Sequence, residues 1–191
     1  MRNPCQRRGP LLLSFFEVHR PCQFILYGVH SIVNKKISMT DSEGTKLAKF
    51  SEAVRESSLK RLITVPDGYE NWRPAPEAMS FADIAQHLID ADNWTFKMLE
   101  VKNLKPMKGR PSLVEVIDRT QYLSILDELR QTGIRRSQLL ENITPAQLSE
   151  MIFDQRFGQE VSVWWIIVRG NLDHEIHHRG QITTYLRIIS A

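Results

Sequence analysis

The chain holds two cysteines in 191 residues, Cys5 and Cys22, and both fall within its first 38 positions. From residue 39 onward there is none. That stretch has no disulfide, no thiol nucleophile and no thiolate ligand of its own. Such usage agrees with a reducing compartment and predicts a cytoplasmic protein. Long apolar runs are also missing: nothing approaches the roughly 18 residues needed to span a bilayer, so no membrane partner is expected.

Positive charge is scarce where it would matter most. The net charge is +3, but residues 1–38 set six basic residues against Glu17 alone. Their balance of +5 leaves −2 for residues 39–191. A slightly acidic domain without a basic stripe is a poor electrostatic partner for nucleic acid, so none is expected. There is no internal repeat and no low-complexity segment. With 42% hydrophobic and 25% charged residues, the chain has the balance of a globular domain long enough to bury a core.

Residues 1–38 read differently from the rest. They mix Arg, Pro and aromatics without a sustained period. The apolar patch Leu11–Phe16 is short for a secretory signal, while the Arg-rich, acid-poor composition leaves a transit peptide open. The expectation is a disordered basic extension or a start placed too early. The domain then occupies 39–191, with Met39 and Thr40-Asp-Ser-Glu43 as a natural beginning.

From Thr40 the pattern is helical. Thr40 and Glu43 form a capping box, and Leu47, Phe50, Val54 and Leu62 recur at helical spacing to about Val65. Pro66-Asp67-Gly68 ends this helix, and a loop with Trp72, Pro74 and Pro76 comes next. Ser80 with Asp83 starts a second helix, Phe81 to about Val101. Lys102–Pro111 is polar and Pro/Gly-bearing, hence a loop. Ser112 with Glu115 caps a third helix that runs to about Glu141, with Tyr122, Leu126, Leu129 and Leu140 on one stripe. Gly133 weakens it by about 1 kcal/mol relative to Ala and points to close packing. Thr144-Pro145 opens a short helix. Met151–Val161 is an irregular loop or a small hairpin around Gly158. Ser162 caps a last helix to about Ile189. Four long helices with short connections predict an all-α, up-and-down four-helix bundle.

The last helix carries Asp173-His174-Glu175-Ile176-His177-His178. His178 comes four residues after His174 and lies about 40° from it around the helix. Side chains so spaced have Cβ atoms roughly 5–6 Å apart, so two imidazoles can converge on one ion. His177 points about 100° away from His178. Ile167, Asn171, Ile182, Tyr185 and Ile189 share the face of the pair, which makes it the inward face. On the second helix His87 shares a stripe with Ile84, Ala91, Trp94 and Met98.

Three histidines from two helices thus point into one core. Each buried neutral imidazole needs partners for both nitrogens, and a divalent ion supplies one partner to all three. Zn²⁺ accepts three histidines and keeps an open position. From the residues alone, both a metal site on His87, His174 and His178 and a set of hydrogen-bonded core histidines stay open.

Two stretches carry a family resemblance. Met79-Ser-Phe-Ala-Asp-Ile-Ala-Gln-His87-Leu-Ile-Asp-Ala-Asp92 and His174-Glu-Ile-His-His178-Arg-Gly-Gln-Ile-Thr-Thr-Tyr-Leu-Arg187 resemble the DinB family of damage-inducible bacterial proteins, of DinB/YfiT-like fold. The resemblance covers roughly 40–191 and leaves out residues 1–38. It implies a four-helix bundle with a pocket at one end, often a homodimer. It also implies a divalent metal, zinc or nickel, on the residues matching His87, His174 and His178, all three of which are present. Related members use low-molecular-weight thiols as cosubstrates, and the family name implies no DNA binding.

Three functions stand as expectations. The first is a metal-dependent S-transferase that takes a small-molecule thiol, which suits a domain without cysteine. The second is a metal-dependent hydrolase, which needs an acid or base near the ion. Asp90, Asp92, Glu175 and Tyr185 are near in sequence, but only Tyr185 shares the ligand stripe, and a core tyrosine is the plainer account of it. Asp90 and Asp92 are expected to face solvent or to orient a histidine. The third is a non-catalytic, metal-stabilised stress-response protein. Trp164 and Trp165 are expected in the core, and the Trp72 loop over the bundle end.

Overall fold

The computed structural model of the chain describes residues 41–102, 113–155 and 158–190. The expectations for the extension 1–38, for a cap at Thr40, for the loop through Pro111 and for a cap at Ser112 lie outside these residues.

The helices are α1 (Glu43–Leu62), α2 (Phe81–Val101), α3 (Arg119–Glu141), the short α4 (Pro145–Ser149), α5 (Val163–Ile167) and α6 (Asp173–Ile189). Strands β1 (Met151–Asp154) and β2 (Gln159–Ser162) form an antiparallel hairpin in which Met151 faces Ser162 and Asp154 faces Gln159. Gly158 takes the left-handed conformation that the turn requires (φ 66°). The chain is an all-α bundle with one small hairpin.

Local chemistry sets the helix starts. Ser42 Oγ accepts from the Thr45 amide at 3.0 Å, so the cap of α1 lies two residues after Thr40. Its C-terminus at Leu62 falls short of Val65. The Ser80–Asp83 capping box forms in full, with both bonds present. α3 begins later than its sequence suggests, with Asp118 accepting from the Gln121 amide. The preceding segment is held by side chains instead: Asp83 accepts from the Val114 amide, and Asn71 bonds both the amide and the carbonyl of Val116.

The last helix is not continuous. Ser162 caps α5, but a π-helical turn over Val168–Leu172 separates α5 from α6. A π turn widens the helix and shifts the phase of the residues beyond it, and such turns recur at functional sites.

Around the bundle the neighbours run α1–α3–α2–α6: α1 packs on α3 and α6, and α2 packs on α3 and on the α5–α6 segment. The segment 63–80 therefore crosses the bundle end. Trp72 in that crossing is half-buried and packs on Phe81 and Tyr185, in agreement with the place expected for its loop.

The core has two apolar layers. One holds Leu62, Phe81, Leu88, Tyr122, Leu129 and Ile182. The other holds Ala48, Met98, Leu140, Ile152, Ile166 and Leu172. Between them on every long helix lies a buried polar residue: Arg55, Asp92, Arg136 and Glu175, each at most 5% exposed. Four expected features differ. Phe50, Trp164 and Trp165 are exposed (48%, 37% and 40%), so the tryptophan pair is not core. Asp92 neither faces solvent nor orients a histidine, because two arginines hold it in the polar layer.

Candidate metal centre

His87 stands on the second turn of α2 and His174 and His178 on the first turns of α6. The structure brings all three together. His174 Nε2 lies 3.0 Å from His87 Nε2 and 2.9 Å from His178 Nε2. The rings meet edge to face, with centroids 4.5–4.9 Å apart. His178 is buried, whereas His87 and His174 are half-buried, so the cluster opens to one side of the bundle.

Burial, with His174 next to it, drives the His178 pKa down to about 3, despite the opposing hydrogen bond to Gln181. Burial lowers His87 as well, partly offset by the Asp90 carboxylate. Both rings are therefore neutral near pH 7, the form that ligates metal.

The donor set fits a divalent cation. His178 Nδ1 lies 2.8 Å from Gln181 Oε1, which can only accept, so Nδ1 carries the proton and Nε2 the lone pair. An imidazole nitrogen has one in-plane direction, serving one partner. A proton on His174 Nε2 would satisfy His178 or His87, not both. A cation takes all three lone pairs at once. Metal–nitrogen bonds of about 2.0–2.1 Å, at angles between about 90° and 109°, place nitrogens roughly 2.9–3.4 Å apart. The observed 2.9 and 3.0 Å match. Among the described residues these three form the group able to hold a metal, with their ligand atoms all within 4.8 Å.

The other candidates fall elsewhere. His177 is exposed, and its Nε2 accepts from the Gln181 amide at 3.1 Å. Tyr185 is seven residues beyond His178, about 10 Å along the helix. Its ring packs edge-on against Trp72 and Phe81 (5.8 and 5.7 Å), and burial raises its pKa. Asp90 is half-buried and accepts from Gln86 Nε2 at 3.1 Å.

Glu175 and Asp92 are committed to the polar layer. Arg55 Nε and Nη2 donate to the two Glu175 oxygens at 2.9 and 3.0 Å, and Nη2 also reaches Asp92 at 2.9 Å. Arg136 Nη1 bonds Asp92, Asn171 and Glu175 at 2.8–2.9 Å, while its Nε bonds Ser51. Asn171, on the π turn, donates to Asp92 and Thr95. Two cations meet two anions with every buried side-chain polar atom partnered among the described residues. Burial pushes the Glu175 carboxyl up, but Arg136 and Arg55 outweigh it and bring it to about 2.

Sequence reasoning missed Arg55, Arg136 and Gln181. A signal existed for the arginines. Ser51, Arg55, Ser58 and Leu62 share one stripe, as do Leu129, Gly133, Arg136 and Leu140, and a charge on a buried stripe must be paired.

Comparisons with known proteins bear on the fold and the family. The uncharacterized protein YjoA of Bacillus subtilis (strain 168) is 24% identical over 119 residues, which is 61% of this chain and 71% of that protein. The crystal structure of the DinB-like protein YjoA from Bacillus subtilis superposes with a TM-score of 0.58 at 18% identity, covering 76% of this chain and 92% of the other. That likeness establishes the fold. The model of the DinB superfamily matches residues 51–182, a span that contains all three clustered histidines. The chain belongs to the DinB superfamily.

Proposed function

We propose that the protein binds one divalent metal ion, zinc or nickel, on His87, His174 and His178, and that it is a metal-dependent S-transferase using a low-molecular-weight thiol. The observation that carries the reading is the meeting of three Nε2 atoms, two pairs of them 2.9–3.0 Å apart, at an open edge of the core. Three neutral ligands leave an ion's charge uncompensated, and such an ion favours the thiolate form of a thiol beside it. The domain from residue 39 has no cysteine to compete for the ion, so the thiol arrives from outside.

The chain's own residues hold the site rather than react. The neutral state of His87 and His178 keeps their lone pairs available, and the Asp90 charge lies on the α2 side. Hydrolysis is less supported, because it needs an acid or base beside the ion. Glu175 and Asp92 are occupied by arginines, and Tyr185 lies in an aromatic cluster. A non-catalytic role would suit a closed four-ligand site, whereas three ligands meet here among the described residues. A cytoplasmic homodimer without a nucleic-acid partner completes the reading. It rests on the family resemblance and on the charge of −2 over 39–191.

Cobalt substitution tests the thiol. Small thiols titrated into the Co²⁺-loaded protein should produce a sulfur-to-cobalt charge-transfer absorption that His174→Ala lacks. A visible spectrum unmoved by every small thiol would overturn the transferase reading while leaving the metal site standing.

A further inference from the structure

Gln181 is half-buried on α6, three residues after His178 and four after His177, so it can reach both rings. Its Oε1 faces His178 Nδ1 at 2.8 Å, and its Nε2 faces His177 Nε2 at 3.1 Å. We infer that Gln181 is a positioning residue for the metal site: it holds His178 in the tautomer whose Nε2 is free to ligate. This role rests on the metal site of the proposed function.

A glutamine amide has an accepting end and a donating end. With Oε1 toward His178, Nδ1 must carry the proton, and the lone pair falls on Nε2, where the three rings meet. Turned the other way, the NH₂ group would require a lone pair on Nδ1. The proton would then sit on Nε2 and block ligation. In this arrangement the NH₂ group donates to His177 Nε2. The exposed histidine of the motif thus touches the amide and not the ion.

Metal-ligating histidines are commonly oriented by a carboxylate or carbonyl on the far nitrogen, and losing that partner costs about 10–100-fold in metal affinity. Here a neutral amide fills the place. It fixes the ring without adding negative charge near the ion, which keeps the ion electrophilic.

The test is Zn²⁺ affinity by competition with a chromophoric chelator, for wild type, Gln181→Leu, Gln181→Glu and His178→Ala. Long-range ¹H–¹⁵N spectra of the imidazoles in the metal-free proteins accompany it. Gln181→Leu should bind Zn²⁺ about 10–100-fold more weakly, and its His178 should lose the single Nδ1–H tautomer. Gln181→Glu, which still accepts from Nδ1–H, should keep that tautomer and bind at least as tightly as wild type. It also keeps the test decisive should leucine disturb the fold. His178→Ala should lose binding. Wild-type affinity and tautomer in Gln181→Leu, with binding lost in His178→Ala, would overturn the role of Gln181 alone. Unchanged binding in His178→Ala would overturn the metal reading with it.

Discussion

His87 and His174 are 87 positions apart in the chain, yet their Nε2 atoms lie 3.0 Å from one another across the α2–α6 contact. Two nitrogens so placed hold each other only through one shared proton, and His178 crowds the same point. A ligand that binds the folded state stabilises it by about 4 kcal/mol at roughly 1,000 times its Kd. Excess Zn²⁺ should therefore raise the thermal midpoint of wild type. His87→Ala, His174→Ala and His178→Ala should melt at the same temperature with and without zinc. An equal zinc shift in all three, read by calorimetry, would contradict shared ligation.

The polar layer predicts a large cost for a single break. Arg136→Met leaves Asp92 and Glu175 short of a cation in a buried layer, and breaking a buried pair by removing one partner costs about 3–5 kcal/mol. Urea unfolding should show a loss in that range. A loss below about 1 kcal/mol would mean that the layer is hydrated or rearranged.

Gly133 predicts a smaller effect of opposite sign to helix propensity. Alanine there gains about 1 kcal/mol of propensity in a helix interior. Its Cβ, however, would lie 2.7 Å from Arg55 Cγ. The Arg55 stem cannot swing away, because its head is fixed on Glu175, Asp92 and the Leu129 carbonyl. Overpacking costs about 1–3 kcal/mol, so Gly133→Ala should destabilise on balance. A more stable variant in the same urea titration would show that Arg55 has freedom the geometry denies it.

Acid should unfold the metal-free protein in two stages. The His178 pKa is about 3 in the fold against 6.5 for an unperturbed ring, so the unfolded chain binds more protons between those values. Its contribution is present above pH 6.5 and declines as pH falls toward 3. The Glu175 pKa is about 2 against 4.5, so its contribution is present above pH 4.5 and is lost as pH falls toward 2. Chemical denaturation across roughly pH 7 to 3 should show stability falling from about pH 6.5, with a steeper slope below 4.5. Stability that rises on acidification would contradict both shifts.

Much of the site was legible because helical spacing is a strong local signal. His174 and His178 are one turn apart on a stripe that includes Ile182, and His87 lies on the stripe of Ile84 and Ala91. The capping box at Ser80, the helix start at Thr144-Pro145 and the cap at Ser162 were readable for the same reason. The polar layer was not, because nothing local says that Arg55 meets Glu175 from 120 positions away. Asp92 and Glu175 therefore looked like candidates for the site when they are counterions. The π turn left no pattern either: Asn171 lies on the inward face whether or not the helix widens. Trp164 and Trp165 show the limit of reading aromatics as core, since their place just past the cap at Ser162 leaves both exposed.

Metal content of the purified protein by mass spectrometry, with His178→Ala beside it, tests the central claim most directly. Near one divalent metal ion per chain is predicted in wild type, with its loss in the variant. No metal in wild type, even after zinc and nickel are supplied, would contradict the claim.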